Sequence, residues 1–494
     1  MVKANEVPVD RIRRALANQN TWWTTGKVPA ALLHPYRRRD FYPLMDKLSD
    51  ERILVIAGPR RAGKTTTMFQ MIDELISSGK AEPKRVLYVS FDYPYLLSDL
   101  EHPFEDVLRV YTETVLKESV DNLAKRIYVF LDEVYSLPEW GRILKGHFDR
   151  KTRTKMIVSG SSSPEIIAEA ARALVGRVEK HLMLQMKFVD VVCHNLSKDA
   201  NEIKDVSLGP LRTGFEAFLD RGNLRKLSGA YSDAFNALAH LEDEIQGQLL
   251  EYLIKDGYPE NLDVSDLSKC AQSIITAVDL SIYKDVMRVF KNREPQKIEK
   301  LMTVLSQSSG NVVASNTLAD TLGLNFRTIE RYLSHLEAVY LVSVSYAYSG
   351  SLYKSLPRAR KIYVANVGVR NAIMGLINER MVENSVELGR CAEAVAHDHI
   401  KRLAFCLEPT REPRTYYWRD RAGNEVDIIT ELRGKRVPFD VRYRETIDKK
   451  DTKALNAFLD ENPGCRCGVL LTKRRFGVDG RVVMIPLWLF LLTC

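Results

Sequence analysis

The chain lacks any run approaching the ~20 consecutive apolar residues of a membrane-crossing helix, and its N-terminus has no apolar signal region. Its apolar tail, from Val482 to Leu492, is short and broken by Pro486, and reads as a buried strand and a last turn. Cysteine is scarce: of seven, only Cys465 and Cys467 lie close together. One C-x-C pair without a second is neither a zinc pattern nor a disulfide framework, so reduced thiols in the cytoplasm are expected. Composition is otherwise that of a globular protein, with 45% hydrophobic and 28% charged residues. At 494 residues the chain is too long for one core, and two to four domains are expected. A net charge of +8 mildly favours an anionic partner and by itself decides nothing.

Against this background one stretch stands out. Ile53-Leu54-Val55-Ile56-Ala57 is an apolar, β-prone run that leads into Gly58-Pro59-Arg60-Arg61-Ala62-Gly63-Lys64-Thr65, followed by Thr66 and an amphipathic helix. Met68, Phe69, Met71, Ile72, Leu75 and Ile76 recur at helical spacing, and Gly79 marks the stop. Strand, glycine-bracketed loop and helix are the context that gives G-x-x-x-x-G-K-T its mechanism. Gly58 and Gly63 let the backbone turn successive N–H groups toward phosphate oxygens at the positive end of the helix. Lys64 would reach the β- and γ-phosphates of a nucleotide, and the Thr65 hydroxyl would ligate Mg²⁺.

Downstream, Arg85 to Asp92 reads as a strand buried on both faces, as in a parallel sheet, and Phe104 to Leu123 as helix. Ile127 to Leu131 is a further apolar strand, closed by Asp132-Glu133. An Asp-Glu pair after a strand downstream of a P-loop is the Walker B pattern, with Asp132 on the Mg²⁺ shell and Glu133 polarising the attacking water. Lys155 to Ser163 reads as a short strand ending in hydroxyl residues. Ser159 or Ser161 would be the polar sensor that AAA+ ATPases place there, or the serines simply cap a helix from Pro164. Arg177, after Leu174-Val175-Gly176, stands where ring ATPases put the finger that reaches a neighbour's γ-phosphate, with Arg172 the alternative. In the N-terminal arm, Trp22-Trp23 and the stretch around Phe41-Tyr42 would pack on the core, and Arg39 with Asp40 would border the adenine pocket.

These segments, N-Q-N-T-W-W, R-R-D-F-Y, G-P-R-R-A-G-K-T, L-D-E-V, V-S-G-S-S-S and V-G-R, together resemble the archaeal and bacterial AAA-type ATPases that carry a C-terminal nuclease-like domain of unassigned function. Asp256-Gly257-Tyr258-Pro259 resembles that family's G-G-Y-P turn, with Asp256 in place of the first glycine. The resemblance spans nearly the whole chain and implies ATP rather than GTP; no guanine-reading motif is apparent. It implies an α/β architecture: a parallel-sheet P-loop ATPase of AAA type with a helical lid, a winged helix-turn-helix and a C-terminal restriction-endonuclease-like domain. The expected divisions are an arm (1–50), the ATPase domain (51–190), the lid (191–295), the winged module (296–350) and the nuclease-like domain (351–494).

Within the winged module, helices over Lys297–Ser306, Asn316–Leu322 and a third exposing Arg327, Thr328, Arg331 and His335 precede an alternating strand from Leu341 to Tyr346. Such a helix would meet phosphates or groove edges of DNA, or else protein. In the last third, Glu393 on a helix and Asp427 and Asp440 on strands resemble the carboxylates of the nuclease fold and could converge on a divalent metal. Position 442 is arginine where the motif has lysine. Arginine stays protonated above pH ~12 and cannot act as a base, so Arg442 would grip a phosphate and the domain is expected to be inactive.

The expected whole is a Mg²⁺- and ATP-dependent, DNA-remodelling ATPase that forms a homo-oligomer, with a hexameric ring as the natural closed form. The alternatives are a nucleotide-dependent switch acting on protein partners and an ATP-gated nuclease.

Overall fold

A computed structural model describes residues 6–93, 100–160, 172–221, 224–290, 294–348, 360–408 and 413–494. They fall into two compact units, residues 1–185 and 186–494. Ser161 and the helix expected from Pro164 lie outside the described residues.

The first unit is built on five strands: β1 (Ile53–Ala57), β2 (Val86–Ser90), β3 (Ile127–Asp132), β4 (Thr154–Gly160) and β5 (Val178–Leu182). They pair in the order β2-β3-β4-β1-β5, and every pairing is parallel. Alternate residues feed two cores. Val55, Val89, Leu131 and Val158 pack on one face, while Ile56, Tyr88, Phe130 and Ile157 pack on the other. That two-sided burial is why these strands read as near-continuous apolar runs. Edge strand β5, Val-Glu-Lys-His-Leu, is only partly buried and more polar, and it gave no signal in the sequence.

The opposite edge is closed by the N-terminal arm. Asn20 exchanges two hydrogen bonds with the Tyr88 backbone, Nδ2 to the carbonyl at 2.8 Å and Tyr88 N–H to Oδ1 at 2.6 Å. The indole N–H groups of Trp22 and Trp23 both donate to the Val86 carbonyl. The arm thereby satisfies groups that an open sheet edge would leave unpaired. The helix expected to run to Leu123 spans Pro103–Val110 and widens into π-type turns over Tyr111–Leu116. Thr112 and Thr114 direct their hydroxyls to the Leu108 and Val110 carbonyls, competing with the backbone ladder, and Lys117 closes the helix at φ +58°.

The second unit opens with helices that include Phe188–Asn195, Ala200–Val206, Leu224–Ala237, Glu242–Lys255 and Leu267–Leu280. Three more follow, Pro295–Gln307, Ser315–Leu322 and Phe326–Ala338, close to where the periodicity put them. Gly323, at φ +63°, ends the second, and the Asn325 side chain caps the third by accepting from Thr328 N–H at 2.8 Å.

The strands of this unit are β6 (Val312–Val313), β7 (Val342–Ala347), β8 (Arg360–Val364), β9 (Thr415–Arg419), β10 (Glu425–Leu432), β11 (Lys435–Arg442), β12 (Gly468–Thr472), β13 (Gly477–Asp479) and β14 (Val482–Pro486). They form one nine-stranded sheet, β13-β14-β12-β11-β10-β9-β7-β8-β6. Strand β8 pairs antiparallel with both β6 and β7. Parallel pairing of β7 with β9 at Tyr346–Tyr416 then joins this ribbon to the C-terminal strands. The apolar tail is a buried strand followed by the short helix Leu487–Leu491.

One expectation about the helix Phe326–Ala338 is corrected. His335 does not face outward. It is 8% exposed, and its ring stacks on Phe290 with centroids 3.8 Å apart. His335 shares the buried face of the helix with Tyr332 and Leu336.

Candidate nucleotide site and a buried charge centre

At the end of β1 the chain turns through the P-loop into the helix Lys64–Ser77. Gly58 is required for a reason specific to this fold: a Cβ there would stand 1.9 Å from the Met183 carbonyl oxygen, because β5 continues alongside β1 and Met183 N–H donates to the Ala57 carbonyl. Arg61 and Gly63 adopt positive φ, +57° and +87°, which curls the loop. Ala62 is fully buried. Lys64 is buried too, and its Nζ donates to the carbonyls of Gly58 (2.9 Å) and Pro59 (2.7 Å), spanning the loop it closes.

Thr65, whose residue is exposed, donates its hydroxyl to Asp132 Oδ2 at 2.7 Å. The P-loop hydroxyl and the Walker B carboxylate are thus adjacent although 67 residues apart. Tyr88 Oη donates to the same Asp132 oxygen at 2.9 Å, while the Ser159 hydroxyl donates to Oδ1. Glu133 N–H also donates to Oδ1, and Glu133 takes a left-handed φ of +52° that turns it off the line of β3. The residues present suit Mg·nucleotide: hydroxyl and carboxylate oxygens are the hard donors Mg²⁺ takes, and the loop leaves no room for a Cβ at Gly58.

Arg39 and Asp40 are partly buried, and Asp40 is held by two basic side chains. Its carboxylate forms an ion pair with Arg38 Nη2 at 2.7 Å and meets His181 Nε2 at 2.8 Å. Arg38, buried, donates through Nη1 to the Ala62 carbonyl inside the P-loop at 2.8 Å. The arm therefore grips the loop through Arg38, the first residue of the R-R-D-F-Y segment, to which no role was attached in the sequence. Arg177 lies level with the start of β1, its carbonyl accepting from Ile53 N–H, while the P-loop follows the other end of that strand. Its side chain pairs with Asp149 at 2.7 Å, and this hydrogen bond lowers the Asp149 carboxyl.

In the second unit Arg327 and Arg331 are exposed at the start of the helix Phe326–Ala338, and Thr328 is partly buried. Glu393, Asp427 and Asp440 are brought together, but around an ammonium group. Lys361 on β8, with 3% of its side chain exposed, places Nζ 3.0 Å from Asp427 Oδ1, 3.2 Å from Glu393 Oε1 and 2.7 Å from Glu425 Oε1. Arg442 reaches Asp440 Oδ2 at 2.9 Å and Asp427 Oδ2 at 3.5 Å, so its guanidinium is engaged by carboxylates. Burial and the charge of Asp427 push Glu393 up to about 7 and raise Asp440 well above the carboxylate range. Burial also works to raise Asp427, but Lys361 and Arg442 hold it below that range. Among the described residues, no group of three or more His, Cys, Asp or Glu side chains is arranged to hold a metal ion. Lys361 was invisible in the sequence because nothing local relates β8 to the carboxylate strands.

Parallel sheet, P-loop and adjoining Walker carboxylate define the class: an α/β nucleotide-binding ATPase fold of AAA type. Comparison with known proteins agrees, since residues 50–192 match the AAA domain family. Residues 246–380 and 388–490 match two domains of unknown function. Uncharacterized proteins of Mycobacterium tuberculosis and Mycobacterium bovis are each 22% identical over 472 residues, 95% of this chain and 87% of theirs. One from Methanocaldococcus jannaschii is 22% identical over 389 residues, 78% of this chain and 73% of its own. Similar solved structures include a Walker-type ATPase of Pyrococcus abyssi, at 13% identity, 69% of this chain and 98% of that one, TM-score 0.38. Another is the ORC2 protein of Aeropyrum pernix in its ADP form, at 14% identity, 71% and 96%, TM-score 0.30. Among the described residues no helix is long and apolar enough to cross a membrane.

Proposed function

We propose that this chain is a Mg²⁺-dependent ATP hydrolase that acts on DNA. The observation that carries the hydrolase reading is the 2.7 Å contact between Thr65 and Asp132, because it joins the two halves of a Mg·ATP site. Lys64 and the loop amides would bind the β- and γ-phosphates, Thr65 and Asp132 would hold Mg²⁺, and Glu133 would orient the attacking water. Bound Mg²⁺ supplies neutralisation of phosphate charge. Arg39 and Asp40 would border the adenine.

The DNA reading is supported by Arg327 and Arg331, both exposed on the first turns of a capped helix, together with the net charge of +8. On this reading residues 296–350 are a winged helix-turn-helix, with strand β8 completing its ribbon, and Arg177 or Arg172 acts on a neighbouring copy in a homo-oligomeric ring. Arg177 would first have to leave Asp149. A second reading, a nucleotide-dependent switch acting on protein partners, is favoured by Phe326, an apolar side chain 44% exposed at the start of the same helix.

The deciding experiment is the ATPase rate with single-stranded, duplex and four-way-junction DNA, with Lys64→Ala and Glu133→Gln as inactive controls. Stimulation by one DNA structure supports the first reading. A rate and an assembly state both indifferent to DNA would overturn it in favour of the switch.

A further inference from the structure

We infer that Arg38 is a positioning residue for phosphate binding: by holding the Ala62 carbonyl it fixes the direction of the Gly63 N–H. The inference rests on the reading of residues 58–65 as a phosphate loop, and it gives the N-terminal arm a part in that site.

A trans peptide unit is planar, so its C=O and N–H point in opposite directions. Ala62 is fully buried, and its carbonyl accepts from Arg38 Nη1 at 2.8 Å. The N–H of the same peptide unit belongs to Gly63 and is thereby turned away from Arg38. Successive N–H groups of such a loop are the donors that cradle phosphate oxygens. Gly63, at φ +87°, offers no side chain to resist rotation of that unit. The helix ladder starts one residue later, with Thr67 N–H donating to the Gly63 carbonyl at 3.0 Å. The hold from Arg38 therefore decides how the unit is turned.

Arg38 is itself aimed by a carboxylate. Its Nη2 pairs with Asp40 Oδ2 at 2.7 Å, and Asp40 Oδ1 meets His181 Nε2, on β5, at 2.8 Å. A planar guanidinium presents two nitrogens at a fixed angle to two acceptors, which the point charge of a lysine cannot do. The preceding residues are fastened to the P-loop helix. Gln70 Nε2 donates to the His34 and Tyr36 carbonyls at 2.7 and 2.9 Å, and Arg37 Nη1 donates to Glu74 Oε2 at 2.6 Å. Arg38 thus stands on a frame tied to the helix whose start it shapes.

Fold stability is a poor account of this arginine. Its side chain is 6% exposed, and its Nε is buried without a hydrogen-bond partner among the described residues. A buried guanidinium with an unmet N–H is expensive to keep, and exchanging buried ion pairs for apolar side chains is often neutral for folding.

The test is the steady-state ATPase of the full chain, with inorganic pyrophosphate as competing ligand, for wild type, Arg38→Met and Arg38→Lys. Pyrophosphate carries no base, so it reports on the loop alone. Arg38→Met is expected to raise the KM for ATP and the inhibition constant of pyrophosphate together, about tenfold, the worth of one hydrogen bond to a charged group. Arg38→Lys should raise both by less, and kcat should be unchanged, as for a contact made equally in ground and transition states. A smaller folded fraction would instead lower the apparent kcat at constant KM. If one variant does not fold, the other decides on the same criterion. Four results would overturn the inference: neither constant rising in a folded variant, kcat falling at constant KM, KM rising without the pyrophosphate constant, or both variants failing to fold. The third would place Arg38 on the base, and the fourth would make it structural. A wild type that neither binds nor hydrolyses ATP would remove the nucleotide reading itself and this inference with it.

Discussion

Tyr88 Oη donates to Asp132 Oδ2 at 2.9 Å, the oxygen that also accepts from Thr65 at 2.7 Å. Burial, and then the Asp132 charge, raise the phenol far above its ordinary range, so Tyr88 remains a donor at every working pH. Its position is fixed from outside the site: Asn20 holds the Tyr88 backbone, and Phe69 packs on its ring at 4.6 Å. Tyr88 therefore sets where a Walker B oxygen points. Tyr88→Phe is expected to raise the Mg²⁺ concentration needed for nucleotide binding about tenfold, the value of one hydrogen bond to a charged group. Binding of a fluorescent ATP analogue in EDTA should be unchanged. Equal losses with and without Mg²⁺ would assign Tyr88 to general stability instead.

Gly58→Ala is expected to abolish nucleotide binding and to lower stability by about 1–3 kcal/mol. Its new Cβ would meet the backbone oxygen of Met183 at 1.9 Å, and a backbone atom cannot swing aside as a side chain can. Calorimetric binding and a urea melt check both parts. Gly79→Ala, where a Cβ meets nothing within 4 Å but φ is +71°, should cost stability and leave binding intact.

Burial, then Arg331, push His335 down to about 4, against about 6.5 in an unfolded chain. The unfolded state therefore binds the proton first as pH falls. The His335 contribution is complete above pH ~6.5 and is lost progressively toward pH 4, costing about 1–2 kcal/mol between pH 7 and 5. His335→Phe preserves a ring against Phe290 and removes Nδ1, a buried atom with no partner among the described residues. Its stability should fall less than wild type between pH 7 and 5. Parallel pH profiles would show that His335 does not titrate as described.

Asp256 stands at φ +59°, ψ −166°, a region that glycine alone enters readily, which accounts for the glycine of the G-G-Y-P pattern. The carboxylate offsets part of that strain by accepting from Val367 N–H at 3.1 Å. Asp256→Gly should relieve about 1–3 kcal/mol of strain while losing about 1 kcal/mol of hydrogen bonding, ending near or above wild type. Asp256→Ala keeps the strain and loses the acceptor, so it should be the least stable of the three in urea. If the alanine variant equals the glycine variant, the backbone there is not strained.

Arg327→Glu together with Arg331→Glu should weaken DNA binding at least about tenfold at low salt and flatten its salt dependence. The DNA-free ATPase rate should be unchanged. Fluorescence anisotropy against salt concentration measures this, and an unchanged affinity would favour protein partners.

Much of the first unit was legible because its signals are local. An apolar run, a glycine-bracketed loop and a 3.6-residue period lie within 25 residues of one another, and each follows from backbone preference and burial acting over neighbours. Strand β5 escaped because an edge strand exposed on one side has no apolar run to show. His335 was misplaced because a polar residue one position after the exposed Ser334 reads as solvent-facing, whereas Phe290 stacks on its ring and makes that position interior.

The sequence by itself determined where the phosphate loop, the Walker carboxylate, the strands carrying Asp427 and Asp440 and the apolar tail strand lie, since apolar runs and turn chemistry are properties of short segments. Tertiary structure alone decided that Arg38 holds the Ala62 carbonyl, that Tyr88 shares Asp132 with Thr65, and that Lys361 joins Arg442 in the carboxylate centre. The physical reason is common to all three. Each contact joins segments far apart in the chain, its geometry is set by sheet order and strand register, and no pattern within a single segment encodes either.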